Sequence, residues 1–286
     1  MNTEMLSYIK KDSPIHRLTG ATKLICFLLW TVAAMITYDT RVLLGLFILG
    51  IFAFKVSKIK FKEVSFVLYF ILFFLILNAL LIFIFSPEQG VEIYGTRTEL
   101  FHIVDPYSVT LEQLFYELNV VLKYFATIPI ALLFILTTDP SEFAASLNKL
   151  GISYKAAYTV SIALRYIPDV QRDYKDIAFA QQARGIDLSK KEKLGKRIKN
   201  SASILIPLIF SSLERIDKIS LAMELRAFGN NKKRAWYNSK RFEKRDYISI
   251  AIMMAVIAIS IVMVNINGSR FYNPFIEIVG LINIAM

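Results

Sequence analysis

The sequence predicts an all-α polytopic membrane protein with about five transmembrane helices and a cytoplasmic helical domain built from long, Pro-kinked amphipathic helices. Three observations carry that prediction. Of the 286 residues, 55% are hydrophobic and the mean hydropathy is +0.49, more apolar than an ordinary soluble domain. The apolar residues gather in stretches close to the roughly 20 residues that a helix needs to cross a bilayer. The basic residues alternate between the connecting segments, as they do in chains oriented by the positive-inside rule.

The first span is Ala21–Tyr38, reading ATKLICFLLWTVAAMITY. Val42–Phe54 follows after only Asp39, Thr40 and Arg41, so the two form a tight helical hairpin. Val64–Phe85 is the most uniformly apolar span, and Leu114–Leu136 is a fourth, interrupted by Glu117, Asn119 and Lys123. Tyr247–Ile266 is the last, before an apolar tail, Phe271–Met286, broken by Pro274. Glu4, Lys10, Lys11 and Asp12 precede any apolar run and no small-residue cleavage site follows, so a cleaved signal peptide is not expected.

Lys10, Lys11, Arg17 and Lys23 come before the first span, and Lys55, Lys58, Lys60 and Lys62 separate the second from the third. Both segments are therefore expected in the cytoplasm. Ser86–Gln113 holds Arg97 against five acidic residues and is expected outside. The alternation gives a cytoplasmic N-terminus, an outer C-terminus, and three regions. Residues 1–138 hold four spans with a long outward loop at 86–113, residues 139–246 form the cytoplasmic domain, and residues 247–286 hold the last span and tail.

The net charge is +11, and between Thr138 and Asp246 stand 22 Lys/Arg against 12 Asp/Glu. A basic surface beside a membrane is attracted to anionic lipid by roughly 1 kcal/mol per base. With no nucleic-acid-binding signature in the chain, topology accounts for the charge and nucleic acid is not an expected partner. The single cysteine, Cys26, excludes an internal disulfide or cysteine metal cluster, and His16 and His102 are far apart, so neither metal nor cofactor is expected. Gly90 and Gly95 mimic the glycine spacing of a phosphate-binding loop, but Thr96-Arg97 stands where Lys-Ser/Thr is needed.

The cytoplasmic segment opens with Asp139-Pro140-Ser141-Glu142, an N-cap aspartate, a first-turn proline and a third-position glutamate. The helix that follows stops at Gly151. A second helix runs from Ser153, kinks at Pro168 and ends at Arg184-Gly185. After the polar linker 187–193, a third starts at Leu194, kinks at Pro207 and continues through Arg226 towards Gly229. The arms beyond the prolines are about 24 and 28 Å long at 1.5 Å per residue. On the second arm Ile209, Leu213, Ile216, Ser220, Met223 and Arg226 recur at helical spacing, opposite the mostly acidic Glu214, Asp217, Leu221 and Glu224. That stripe needs an apolar partner, for which the other long helix is the nearest candidate.

Each arm ends in an arginine followed by a small residue, in Ala183-Arg184-Gly185 and Leu225-Arg226-Ala227. A cation at a helix C-terminus gains about 0.3–1 kcal/mol from the dipole, and glycine there takes the left-handed cap, a sufficient structural reason for one such end. Two matching ends point further. A planar guanidinium beside a small residue fits a groove and binds a carboxylate bidentately, so the pair suits a partner of twofold character.

At LTTDPSEFAASLNKLGI (136–152), ALRYIPDVQRDYKDIAFAQQARGID (163–187) and IPLIFSSLERIDKISLAMELRAFG (206–229), the chain resembles the transmembrane T component of energy-coupling factor (ECF) transporters, the EcfT/CbiQ type. The resemblance implies that two short X-Arg-X motifs enter grooves on two ABC-type ATPase subunits, of one kind or two. It also implies that a separate substrate-binding membrane protein, the S component, captures a vitamin or metal ion. Ala183-Arg184-Gly185 matches the first motif. Leu225-Arg226-Ala227 departs from the second in its bulkier leucine and in alanine where glycine is commoner, and HRLTGATKL (16–24) lacks the family's Asp-Pro-Arg turn. The chain itself is then a non-catalytic subunit of the cell membrane. The alternative, a free-standing secondary transporter, needs ionisable groups at mid-membrane, for which the fourth span offers Glu117 and Lys123 and the third only Asn78. An intramembrane enzyme lacks both HExxH and a serine elbow.

Overall fold

The computed structural model describes residues 11–104, 107–186, 194–230, 236 and 240–275, so Glu4, Lys10, the linker 187–193 and the tail past residue 275 lie outside the described residues. Helices stand over all five apolar stretches: α2 (Gly20–Ile36), α3 (Thr40–Val56), α4 (Phe61–Phe85), α6 (Leu111–Thr137) and α10 (Lys244–Ile266). Among the described residues α4, α6 and α10 are long and apolar enough to cross a membrane. At 17 residues each, α2 and α3 reach only about 25 Å. A four-residue helix, α1 (Pro14–Arg17), precedes them. The chain divides into two compact units, Met1–Thr138 with Arg241–Met286, and Asp139–Lys240.

In the first unit α2, α3, α6 and α10 pack together. Small residues allow the close approach: Ala33 and Ala34 on α2 and Ala126 on α6 are fully buried. The Trp30 indole donates to the Ala126 carbonyl at 3.0 Å, which removes its one polar atom from the lipid problem. A second cluster joins Ile59 and Val64 to Leu132, Leu133 and Leu136. By contrast α4 is 6% buried along its apolar window. Pro129, inside α6, is tolerated there without ending the helix.

Buried polar groups close the helix ends. Lys23, one of the bases before the first span, is buried, its Nζ donating to the Thr137 carbonyl at 2.6 Å and the His16 carbonyl at 3.4 Å. A cation there meets the negative end of α6. Asp246 joins two helix starts: one oxygen accepts from the Thr19 amide at 2.9 Å, the other from the Glu243 amide at 2.8 Å. Asp39 caps α3, accepting from the Arg41 amide at 2.9 Å, and also accepts from the Asn267 side chain at 2.7 Å. Since Asn267 caps the C-terminus of α10, that helix is tied at both ends.

The segment expected as an outward loop carries structure that alternation did not signal. It holds a short helix, α5 (Gln89–Tyr94), and an antiparallel hairpin of β1 (Glu99–Val104) and β2 (Tyr107–Thr110). Buried Glu112 accepts from the Thr98 amide and from the Thr96 and Thr98 hydroxyls, each at 2.9 Å. The glycines of the false phosphate loop are explained here. A Cβ on Gly90 would lie 2.4 Å from the Glu112 carbonyl oxygen, and Gly95 takes φ +70°. They serve a close approach and a turn. Asn273 and Phe275 return to the same region, Asn273 donating to the Tyr94 carbonyl at 2.9 Å.

Candidate functional site

The second unit comprises α7 (Pro140–Lys149), α8 (Tyr154–Ala183) and α9 (Leu194–Leu225). Asp139 caps α7 as its sequence requires, accepting from the Ser141 and Glu142 amides at 2.8 and 3.4 Å. At the other end Gly151 takes φ +99°. Ser153 then caps α8, accepting from the Ala156 amide at 3.3 Å. Both long helices run through their prolines, Pro168 and Pro207, without interruption. Proline lacks the amide that would bond the carbonyl four residues back, so each helix has one missing rung at that level.

Four contacts fix how α8 and α9 lie together. Gln181 donates to the Ser203 carbonyl at 3.1 Å, Asp173 pairs with Arg215 at 2.5 Å, the Arg215 guanidinium lies 5.9 Å from the centre of the Tyr166 ring, and Tyr158 and Phe228 rings meet at 4.6 Å. Residue numbers fall on one helix as they rise on the other, so the pair is antiparallel. Arg184 therefore sits at one end and Arg226 at the other, with on the order of 35–40 Å of helix between their levels.

The two ends share one backbone geometry. At the first, Gly185 N–H donates to Gln182 O at 2.9 Å and Ile186 N–H to Gln181 O at 3.1 Å, with Gly185 at φ +84°. At the second, Ala227 N–H donates to Glu224 O and Phe228 N–H to Met223 O, both at 2.9 Å, with Ala227 at φ +52°. This is the Schellman pattern twice, and in each case the arginine is the C-cap residue. Ala183, Arg184 and Gly185 are exposed, as are Leu225, Arg226 and Ala227, with Leu225 at 81%. Arg226 also lines a cleft of roughly 390 Å³ between α8 and α9, together with Arg165, Tyr166 and Asp169.

Over residues 11–236 the chain matches the CbiQ family, described as cobalt transport protein. The chain belongs to that family. Relatives of this CbiQ-family chain carry the name energy-coupling factor transporter transmembrane protein EcfT. That of Lactococcus lactis subsp. cremoris is 32% identical, the alignment covering 88% of this chain and 95% of the relative. That of Staphylococcus aureus is 26% identical over 90% and 95%, and that of Bacillus subtilis 27% identical over 88% and 94%.

One expectation about the CbiQ-family arms is overturned. The stripe of Ile209, Leu213 and Ile216 does not pack on α8; these residues are 57%, 51% and 55% exposed. The less exposed face of α9 is instead Ile204, Leu208, Ser212, Arg215, Ile219 and Met223. The two faces differ by a fraction of a turn, and the inner one carries a serine and an arginine that hide it from an apolar count. Arg215 earns its place by the pair with Asp173, whose charge periodicity alone does not reveal.

Sequence reasoning also passed over an aromatic clasp. Phe228, directly after Ala227, lies 5.6 Å from Tyr154 as well as against Tyr158, and the tilted Trp236 ring lies 5.5 Å from Tyr154 while its indole donates to Asn148 at 3.1 Å. The Tyr154–Tyr158 spacing of four was its available signal. The ionisable groups of α6 that an ion-coupled transporter would use are otherwise engaged. Glu117 accepts from Gln113 at 3.3 Å, and Lys123 donates to the Met35 carbonyl at 3.4 Å while lying 3.5 Å over the Tyr38 ring.

Ala227 holds a left-handed conformation that costs an L-residue with a Cβ roughly 1 kcal/mol relative to glycine. Ala227→Gly is therefore expected to raise stability by about 1 kcal/mol. A thermal unfolding scan of the purified protein checks this, with Gly185→Ala expected to lower stability by a similar amount.

Proposed function

We propose that this chain is the transmembrane coupling component of an ECF-type ABC importer of the cell membrane. Residues 1–138 and 247–286 form its membrane part, and residues 139–246 form a cytoplasmic coupling domain. Arg184 and Arg226, with Ala183, Gly185, Leu225 and Ala227 beside them, dock two ABC-type ATPase subunits. The observation that carries this reading is the pair of exposed C-cap arginines in the same Schellman hydrogen-bond pattern at opposite ends of one antiparallel helix pair. A two-lobed motor presents two equivalent sockets some distance apart, and this arrangement offers two equivalent prongs some distance apart.

The chemistry of ATP hydrolysis belongs to the partners in this reading. As they close, they draw the two prongs relative to each other. The missing rungs at Pro168 and Pro207 let α8 and α9 bend in response. The movement passes to a separate substrate-binding S component, which selects the vitamin or metal ion. The membrane helices and basic cytoplasmic surface supply contacts to lipid.

The test is purification of the tagged full chain from native membranes in mild detergent, with quantitative mass spectrometry of what accompanies it. Two ATPase subunits per copy of this chain, with a small membrane protein, are expected. A well-folded preparation that lacks ATPase subunits would overturn the proposal.

A further inference from the structure

The membrane unit carries a groove of roughly 480 Å³ between α4 and α6, lined by Phe70, Phe74, Asn78, Leu81, Tyr124 and Ile128 among others. It lies on a helix that packs little within its own chain: α4 is 6% buried along its apolar window, against 33% for α6. Two polar groups interrupt the apolar lining. Asn78 is the one polar side chain in the 20 residues from Phe66 to Phe85 other than the Tyr69 hydroxyl. Its carboxamide has no hydrogen-bond partner among the described residues, and neither does the Tyr124 hydroxyl. Seven residues, about 10 Å, separate Asn78 from the C-terminal end of α4, so it lies within the hydrocarbon if that helix spans.

An amide in hydrocarbon without a partner costs several kcal/mol. An acyl chain filling the groove has neither donor nor acceptor and leaves that cost standing. A second transmembrane helix removes it, since asparagine side chains bond across helices and small residues let helices approach closely. Phe70 and Phe74, one turn apart, wall the groove, so the incoming helix must be narrow where it passes them.

We propose that the α4–α6 groove seats a transmembrane helix of a separate membrane protein, with small residues against Phe70 and Phe74 and a polar group bonded to Asn78. This rests on the reading above that such a protein partners the chain, and it assigns where the two meet inside the bilayer. Asn78 is the polar anchor and Tyr124 a second hydrogen-bonding group.

The experiment uses the tagged full chain in native membranes. Asn78→Leu and Asn78→Gln are compared with the unaltered chain, and in a further preparation photoreactive p-benzoylphenylalanine replaces Phe74. Asn78→Leu is expected to retain the ATPases while recovering about three- to tenfold less of the membrane partner, and Asn78→Gln to recover it nearly in full. Illumination is expected to join position 74 to a peptide from a transmembrane helix of that partner. Undiminished partner recovery in Asn78→Leu, or adducts confined to lipid or to a second copy of this chain, would overturn the proposal. Should Asn78→Leu lose ATPases and partner together, the adduct from position 74 decides alone. Missing ATPases in the unaltered preparation would instead sink the coupling role, and the adduct would still decide the groove.

Discussion

Arg184→Glu combined with Arg226→Glu is expected to strip the ATPase subunits from the complex while leaving the membrane unit folded. Removing one partner of a buried ion pair typically costs about 3–5 kcal/mol, a factor of more than a hundred in affinity, and a glutamate adds repulsion at a carboxylate socket. Either single reversal is therefore expected to reduce ATPase recovery at least tenfold, and the double reversal to abolish it. Both arginines are exposed, and the caps at which they sit are held by backbone bonds from Gly185, Ile186, Ala227 and Phe228. An acid at a helix C-terminus costs only about 0.3–1 kcal/mol. Arg184→Lys separates charge from shape, since lysine keeps the charge and loses the bidentate fork. Quantified co-purification reads all four variants, and full ATPase recovery with the double reversal would refute docking through these ends.

Asp246→Ala is expected to be the most damaging single change to the membrane unit, at about 3 kcal/mol. The carboxylate is 1% exposed and accepts from two amides, Thr19 at the start of α2 and Glu243 at the start of α10. Truncation strands both donors: a buried unsatisfied amide such as that of Thr19 costs roughly 1–3 kcal/mol, and the part-buried amide of Glu243 adds less. Asp246→Asn keeps an acceptor for one amide and is expected to fall between. Thermal unfolding in detergent checks the order, and a loss below about 1 kcal/mol for alanine would contradict the clasp.

The parts of the fold legible in the sequence are those with a local cause. The apolar stretches become helices because the bilayer demands internal hydrogen bonding, and the Asp139-Pro140 start and the Gly151 and Gly185 stops follow from cap chemistry. Ala227 was legible only by its parallel with Gly185, because alanine gives no warning of a positive φ. What escaped has causes distant in sequence. The carboxylate of Asp246 meets an amide 227 residues away, and the inward face of α9 is chosen by a pair between Arg215 and Asp173, 42 residues apart. The hairpin of β1 and β2 escaped because the residues that β2 buries in alternation, Ser108 and Thr110, are polar and leave no apolar signal.

The fastening of α10 at Asp246 and at Asn267 has a consequence for how the protein can diversify. Every atom of those two clasps belongs to residues before Thr138 or after Arg241, so the bilayer-embedded half closes upon itself around a detour of about a hundred residues. Doubling such a detour adds only about 0.6 kcal/mol of ring-closure entropy. The α7–α9 segment can thus lengthen, shorten or be exchanged while the spans keep their own architecture.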